Sequence, residues 1–287
     1  MSAVFQPSDC VPDAREVFRS QRGGCSEVQW AEAVAAAKPD RAAPVVYVNV
    51  GANKGYKIPE FLALWSQQPI PGHVQGWQQR LIKYAEQRSF NYLQRYSCGN
   101  CADCKGKPPA PHRRTGGQMH LLELASANRA LLRHLLEVEK LSGRVSLHEL
   151  AASNYSHTML AFKGLLAGDE RGAALTGKKA RRFVNASVAD SVQAVALDDF
   201  FAQQRLSHAY HVAVDTEGWD ALVVEGMRES IRQRRVAIVE FEVNNRGMWN
   251  RERGWQRHHP AALPFRPRGF ISRALFVVHA QSNICMR

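Results

Sequence analysis

The sequence has no apolar run approaching the roughly 18 residues that a membrane-spanning helix needs, which excludes such a span. Its first residues, MSAVFQPSDCVPDAREVF, contain neither the basic nor the apolar stretch of a secretory leader, so a cytoplasmic location is the default expectation. Six cysteines in 287 residues are too few for a disulfide framework. Charged residues make up 22% and hydrophobic residues 45%, which argues against disorder as the main state. Acidic residues are the scarcer sign: 38 Lys and Arg against 26 Asp and Glu give +12. A basic balance can signal a nucleic-acid partner. Here the basic residues are scattered, with short runs only at Lys178-Lys179-Ala180-Arg181-Arg182 and over 232–235. With no concentrated basic stripe and no RNA-binding module, a solvated basic face is the plainer account, and an RNA-binding or RNA-modifying protein stays a third reading.

Residues 1–43 form an N-terminal extension whose Ala-rich segment 26–38 predicts a helix, with Val28, Trp30, Ala31, Val34 and Ala35 near one face. Val45-Val46-Tyr47-Val48-Asn49-Val50 then reads as a strand buried on both sides of a parallel sheet. It ends at Gly51-Ala52-Asn53-Lys54-Gly55, and a helix follows, with Pro59 in its first turn. Residues 69–117 are an insert with one helical stretch over 77–96 and then a Cys-, Pro- and Lys-rich segment. Strands are expected over 118–124, 144–151, 192–197, 210–215 and 236–243, and helices over 128–140, 198–205 and 220–234. Residues 154–186 are polar and Gly-rich. The alternation predicts a single doubly wound, mostly parallel α/β domain over 44–250. Residues 251–287 are expected to be a basic C-terminal tail with one strand over 271–280.

Three features fall at strand ends, where open α/β sheets bind ligands. Asn49-Val50-Gly51-Ala52-Asn53-Lys54-Gly55 lets the backbone turn sharply and lets a ligand approach the main chain, although a purely structural turn uses the same residues. His120-Leu121-Leu122-Glu123-Leu124 ends the next sheet strand on an acid, suited to ribose hydroxyls or, equally, to a helix N-terminus. Val212-Ala213-Val214-Asp215-Thr216-Glu217-Gly218-Trp219-Asp220 puts carboxylates and a glycine at the tip of a strand expected beside the first.

In this order the segments resemble the FkbM-type family of S-adenosylmethionine-dependent methyltransferases. Val195-Ala196-Leu197-Asp198-Asp199-Phe200, Glu225-Gly226 and Ile238-Val239-Glu240-Phe241-Glu242 extend the match, which runs over about residues 45–243. The resemblance implies a class I methyltransferase (Rossmann-like) fold that binds S-adenosylmethionine. Asn49, Gly51, Asn53 and Gly55 would lie at the methionine part and Glu123 at the ribose. Ala151, Ala152 and Ser153 would sit beside the adenine. Asp215 and Glu217 would face the methyl group and the acceptor as candidates for the base. Family members commonly methylate hydroxyls of sugars or polyketide-like small molecules, so the implied partner is a small-molecule or glycan hydroxyl.

Two positions and the C-terminal stretch depart from the family pattern. Asn49 stands where an acid is common, Ala213 where a lysine is frequent, and the pattern fades after about residue 250. These departures sustain a second reading, a catalytically weak or inactive methyltransferase-fold binding protein. Separately, Cys98, Cys101 and Cys104 with His112 have the spacing of a three-thiolate, one-imidazole zinc site. A disulfide or free thiols are equally open. Asn154-Tyr155-Ser156 and Asn185-Ala186-Ser187 fit the glycosylation pattern, and His258-His259 could be a metal pair or part of a solvated basic loop.

Overall fold

A computed structural model describes residues 44–66, 69–71, 73–87, 117–163, 189–243, 272–278 and 284–286. The helix expected over 26–38 lies outside them. Strand β1 (Val46–Val50) is buried along its whole length, as its β-branched run requires when both faces of a parallel sheet are covered. It pairs in parallel with β2 (Gln118–Leu122) on one side and β7 (Ala209–Val214) on the other. Beyond β2 lies β3 (Val145–His148), and beyond β7 lies β8 (Val236–Val243), both parallel. Two antiparallel strands, β9 (Ser272–Val278) and β10 (Ile284–Met286), extend the sheet past β8. The order is β10-β9-β8-β7-β1-β2-β3. The chain winds outward from β1 to β3, then crosses back to β7, so the switch point lies between β1 and β7. That is where a doubly wound sheet opens a crevice at its carboxyl edge.

Alternate side chains sort to two cores. On one face Tyr47, Met119, Leu121, Ala213 and Ile238 lie under α1 (Lys57–Trp65), α2 (His73–Gln87) and α3 (Ser126–Val138). On the other face Val48, Val50, Val212, Val214 and Phe241 meet Phe200 and Phe201 of α4 (Leu197–Gln203) and Val223 of α5 (Asp220–Glu225). The fold is the doubly wound, mostly parallel class I methyltransferase architecture expected from the sequence.

Several elements differ from expectation for physical reasons. The strand expected over 144–151 ends at His148, and β4 (Leu150–Ser153) joins a separate sheet with β6 (Ala189–Ala196) and β5 (Met159–Lys163), in the order β4-β6-β5. The helix expected over 220–234 breaks at Gly226 and Met227 and restarts as α6 (Arg228–Arg232). A Cβ on Gly226 would lie 2.0 Å from the Ser153 carbonyl oxygen, so the two backbones pack there in direct contact. Asp198 caps the restarted helix, accepting N–H bonds from Glu229 (2.9 Å) and Ser230 (2.7 Å).

The helix of the expected insert packs into the core. Trp77, Leu81 and Ala85 of α2 are buried with α1 and α3, and Trp77 Nε1 donates to the Lys54 carbonyl at 2.7 Å. Phe90, Tyr92 and Tyr96 lie outside the described residues. Among the described residues no helix is long and apolar enough to cross a membrane.

Candidate functional site

Main-chain hydrogen bonds draw the strand ends together. Gly51 and Ala52 N–H groups donate to the Leu122 carbonyl at 3.0 and 3.1 Å, and Asp215 N–H donates to Val50 at 3.0 Å. Glu123 N–H reaches His148 at 3.1 Å. The 51–55 turn, Glu123 and Asp215 therefore share one edge of the sheet. Gly51 has φ +76°, and a Cβ there would lie 1.9 Å from the Asp215 carbonyl oxygen. A side chain at 51 would therefore collide with the end of β7 before it filled any ligand space.

Glu123 is buried at the end of β2. One carboxylate oxygen accepts the Asn53 N–H at 2.6 Å, and the other accepts the Ala125 N–H at 2.8 Å, with Asn128 Nδ2 3.4 Å away. Burial raises its pKa above the ordinary carboxylate value, against the opposing pull of those donors and of Arg129. Oε2 keeps a second lone pair, whereas Oε1 already meets Ala125 and, at longer range, Asn128, so a hydroxyl donor is accepted most readily at Oε2. Asn53, at φ +46°, holds the turn against Glu123 through its N–H.

The tip of β7 is a second built turn. Asp215 is exposed, Glu217 is half-buried at φ +53°, and Gly218 follows at φ +97°. A non-glycine residue with positive φ stores backbone strain of about 1–3 kcal/mol, which the surroundings must hold. Asp220 supplies that hold: fully buried, it accepts Thr216 Oγ1 at 2.9 Å and the Gly218 N–H at 3.2 Å. The Trp219 indole N–H is buried with no partner among the described residues. Asp220 is the functional-site residue that sequence reasoning gave no role. Its signal was a carboxylate in a first helical turn, four residues after a threonine.

Other expected site residues stand further back. Asn49 is buried in β1, in register with Leu121 and Ala213. Ala152 and Ser153 are buried in β4 of the second sheet, where Ala152 joins the core around α4. Asn154 Nδ2 donates to Glu225 at 3.0 Å, which ties the first glycosylation-like Asn into the fold. Cys98, Cys101, Cys104, His112, Asn185, His258 and His259 lie outside the described residues. Among the described residues no group of three or more His, Cys, Asp or Glu side chains is placed to hold a metal.

A family model described as a methyltransferase FkbM domain matches residues 13–260. No curated protein matches the chain significantly. Among solved structures, the METTL16 methyltransferase domain is similar at 8% identity and a TM-score of 0.39, over 87% of this chain and 65% of that one. An FkbM methyltransferase from Methylobacillus flagellatus KT is similar at 10% identity and a TM-score of 0.37, over 81% and 48%. A human methyltransferase 10 domain containing protein gives 8% and 0.36, over 95% and 86%. The chain thus spans about two thirds of the first of these proteins and about half of the second. With the family model covering most of its length, the chain belongs to the methyltransferase FkbM domain family.

Proposed function

We propose that the protein transfers a methyl group from S-adenosylmethionine to a hydroxyl of a small molecule or glycan. The observation that carries this reading is the convergence of the 51–55 turn, Glu123 and Asp215 at the carboxyl ends of three neighbouring parallel strands. When bound, the cofactor supplies a sulfonium-activated methyl group. The protein's part is positioning and electrostatics. Glu123 accepts the ribose hydroxyls, with a lone pair free on Oε2. The 51–55 turn carries the methionine end, with Asn49 behind it. Ala152 and Ser153 lie on the adenine side. Asp215 is the better-placed base, because it is exposed at the tip of β7 and can take the proton an acceptor hydroxyl loses as it attacks. Glu217 lies on the same turn, which Asp220 braces through Thr216 and Gly218.

Calorimetric titration with S-adenosylmethionine and S-adenosylhomocysteine tests this reading. Saturable binding of both is expected, and no binding at millimolar ligand would overturn it. The second reading, a binding protein that has lost catalysis, is favoured by uncharged Asn49 and Ala213. Cofactor binding without labelled methyl transfer across a broad panel of hydroxylated acceptors would select it. Elemental analysis of the purified protein decides whether Cys98, Cys101, Cys104 and His112 hold zinc.

A further inference from the structure

Arg129, near the start of α3, is the one buried arginine among the described residues. Its Nη1 donates to the carbonyl of Leu124, the residue after Glu123. Its Nε lies 3.6 Å from Glu149 Oε2, just beyond β3, and the same carboxylate pairs with Arg133 one helical turn on. The Arg129 side chain is 10% exposed and that of Glu149 52%, so this chain of charges runs from beside Glu123 out to solvent. The plain account of Arg129 is a staple across the bend between β2 and α3. Holding one carbonyl needs no cation, however, and taking a guanidinium out of water is costly. What a neutral donor could not do is stabilise the negative charge of Glu123.

The elements around Glu123 carry other titratable groups: Lys54 of the 51–55 turn, His120 of β2, His148 and Glu149 at the end of β3, Asp190 of β6 and Asp215 after β7. Burial pushes the Glu123 pKa up, and Arg129 is the charge that draws it back down, together with the Ala125, Asn53 and Asn128 donors. We infer that Arg129 is a positioning residue for the ribose contact: it fixes the 123–125 bend and supplies the positive charge that lets a buried Glu123 stay an anion, while Glu149 anchors it from the solvent side. This rests on the S-adenosylmethionine reading above, in which Glu123 takes the ribose hydroxyls. An ionised carboxylate is acceptor-only and makes the stronger, charge-assisted bonds, whereas the protonated acid turns one oxygen into a donor. Cofactor affinity therefore falls as pH drops through the Glu123 pKa. Without Arg129 that pKa is higher, and the fall begins at a higher pH.

The test is calorimetric affinity for S-adenosylmethionine, measured from pH 8 down to the lowest pH at which the fold persists. Low salt is used, because it screens the exposed Glu149 least. In R129M the midpoint of the fall should move up by about 1 pH unit, which makes binding up to about tenfold weaker between the two midpoints. R129K, which keeps the charge, should retain the wild-type midpoint, whatever uniform loss its different reach brings. In an E123Q background, R129M should not move the profile at all, since the group it acts on no longer titrates. If R129M fails to fold, E149Q decides: with the Arg129 charge less neutralised, its midpoint should lie below that of wild type. A merely structural Arg129 would weaken binding equally at every pH, in R129K as in R129M. That outcome, an unmoved R129M profile, or in its place an unmoved E149Q profile, would overturn the inference and leave the cofactor reading intact. Absence of binding by wild type would overturn both.

Discussion

Gly51 shows how one atom couples the turn to the sheet. Its φ of +76° and the 1.9 Å between a would-be Cβ and the Asp215 carbonyl oxygen make any side chain a problem for the fold before it is one for a ligand. Gly51→Ala should therefore lower the melting temperature of the ligand-free protein, with a loss of at least about 1–3 kcal/mol. An unchanged melt would show that β7 yields readily. Glu123 is read through ligand affinity instead. Glu123→Ala should weaken S-adenosylmethionine binding by roughly 1.5–3 kcal/mol, the worth of hydrogen bonds to a charged group. Glu123→Gln, which keeps one acceptor oxygen, should lose less. Wild-type affinity in the alanine variant would remove Glu123 from the ribose role.

At the scale of elements, β2 and β3 are joined on the α4 face by a histidine pair. His120 Nδ1 and His148 Nε2 are 3.0 Å apart, and Phe200 sits edge-on to both rings. Burial lowers both pKa values, that of His120 to about 4, with the neighbouring His148 adding to the effect. The unfolded chain protonates His120 near 6.5 and the folded chain only near 4, so stability is lost as pH falls through that window. Melting temperatures across it should fall less steeply in His120→Phe than in wild type; parallel slopes would assign the loss to other groups. Periodicity made the parallel strands legible, because a run such as Val46-Tyr47-Val48-Asn49-Val50 suits little else. It could not reveal Gly226, whose break in the 220–234 helix depends on the distant Ser153 carbonyl. Strand β5 was hidden because its apolar run is short and lies in a polar, Gly-rich stretch. In the site, Glu123 and Asp215 could be read from their places after strands. Asp220 had a local signal, its place in a first helical turn four residues after Thr216, whereas the Lys57–Glu240 pair had none, since a contact across 183 positions leaves no local trace.

For the whole molecule, the remaining question is what the long excursion between β1 and β2 does, and its two halves differ. Seventy-two positions separate Gly51 from Glu123, where a helix and two short connections need about 20–30. The first half is structural, since Trp77 is fully buried and its indole N–H fastens α2 to the 51–55 turn through the Lys54 carbonyl. Trp77→Ala should cost about 3–5 kcal/mol, as large buried aromatics do, and should also weaken cofactor binding by loosening that turn. The second half holds Cys98, Cys101, Cys104 and His112, which lie outside the described residues. Replacing residues 98–112 by a short Gly/Ser linker should leave the melting temperature and S-adenosylmethionine affinity near wild type. If that segment caps the acceptor side, methyl transfer alone should be lost. Retention of all three properties would leave it without a part in the reaction, and a collapse of the melting temperature would make it as structural as Trp77.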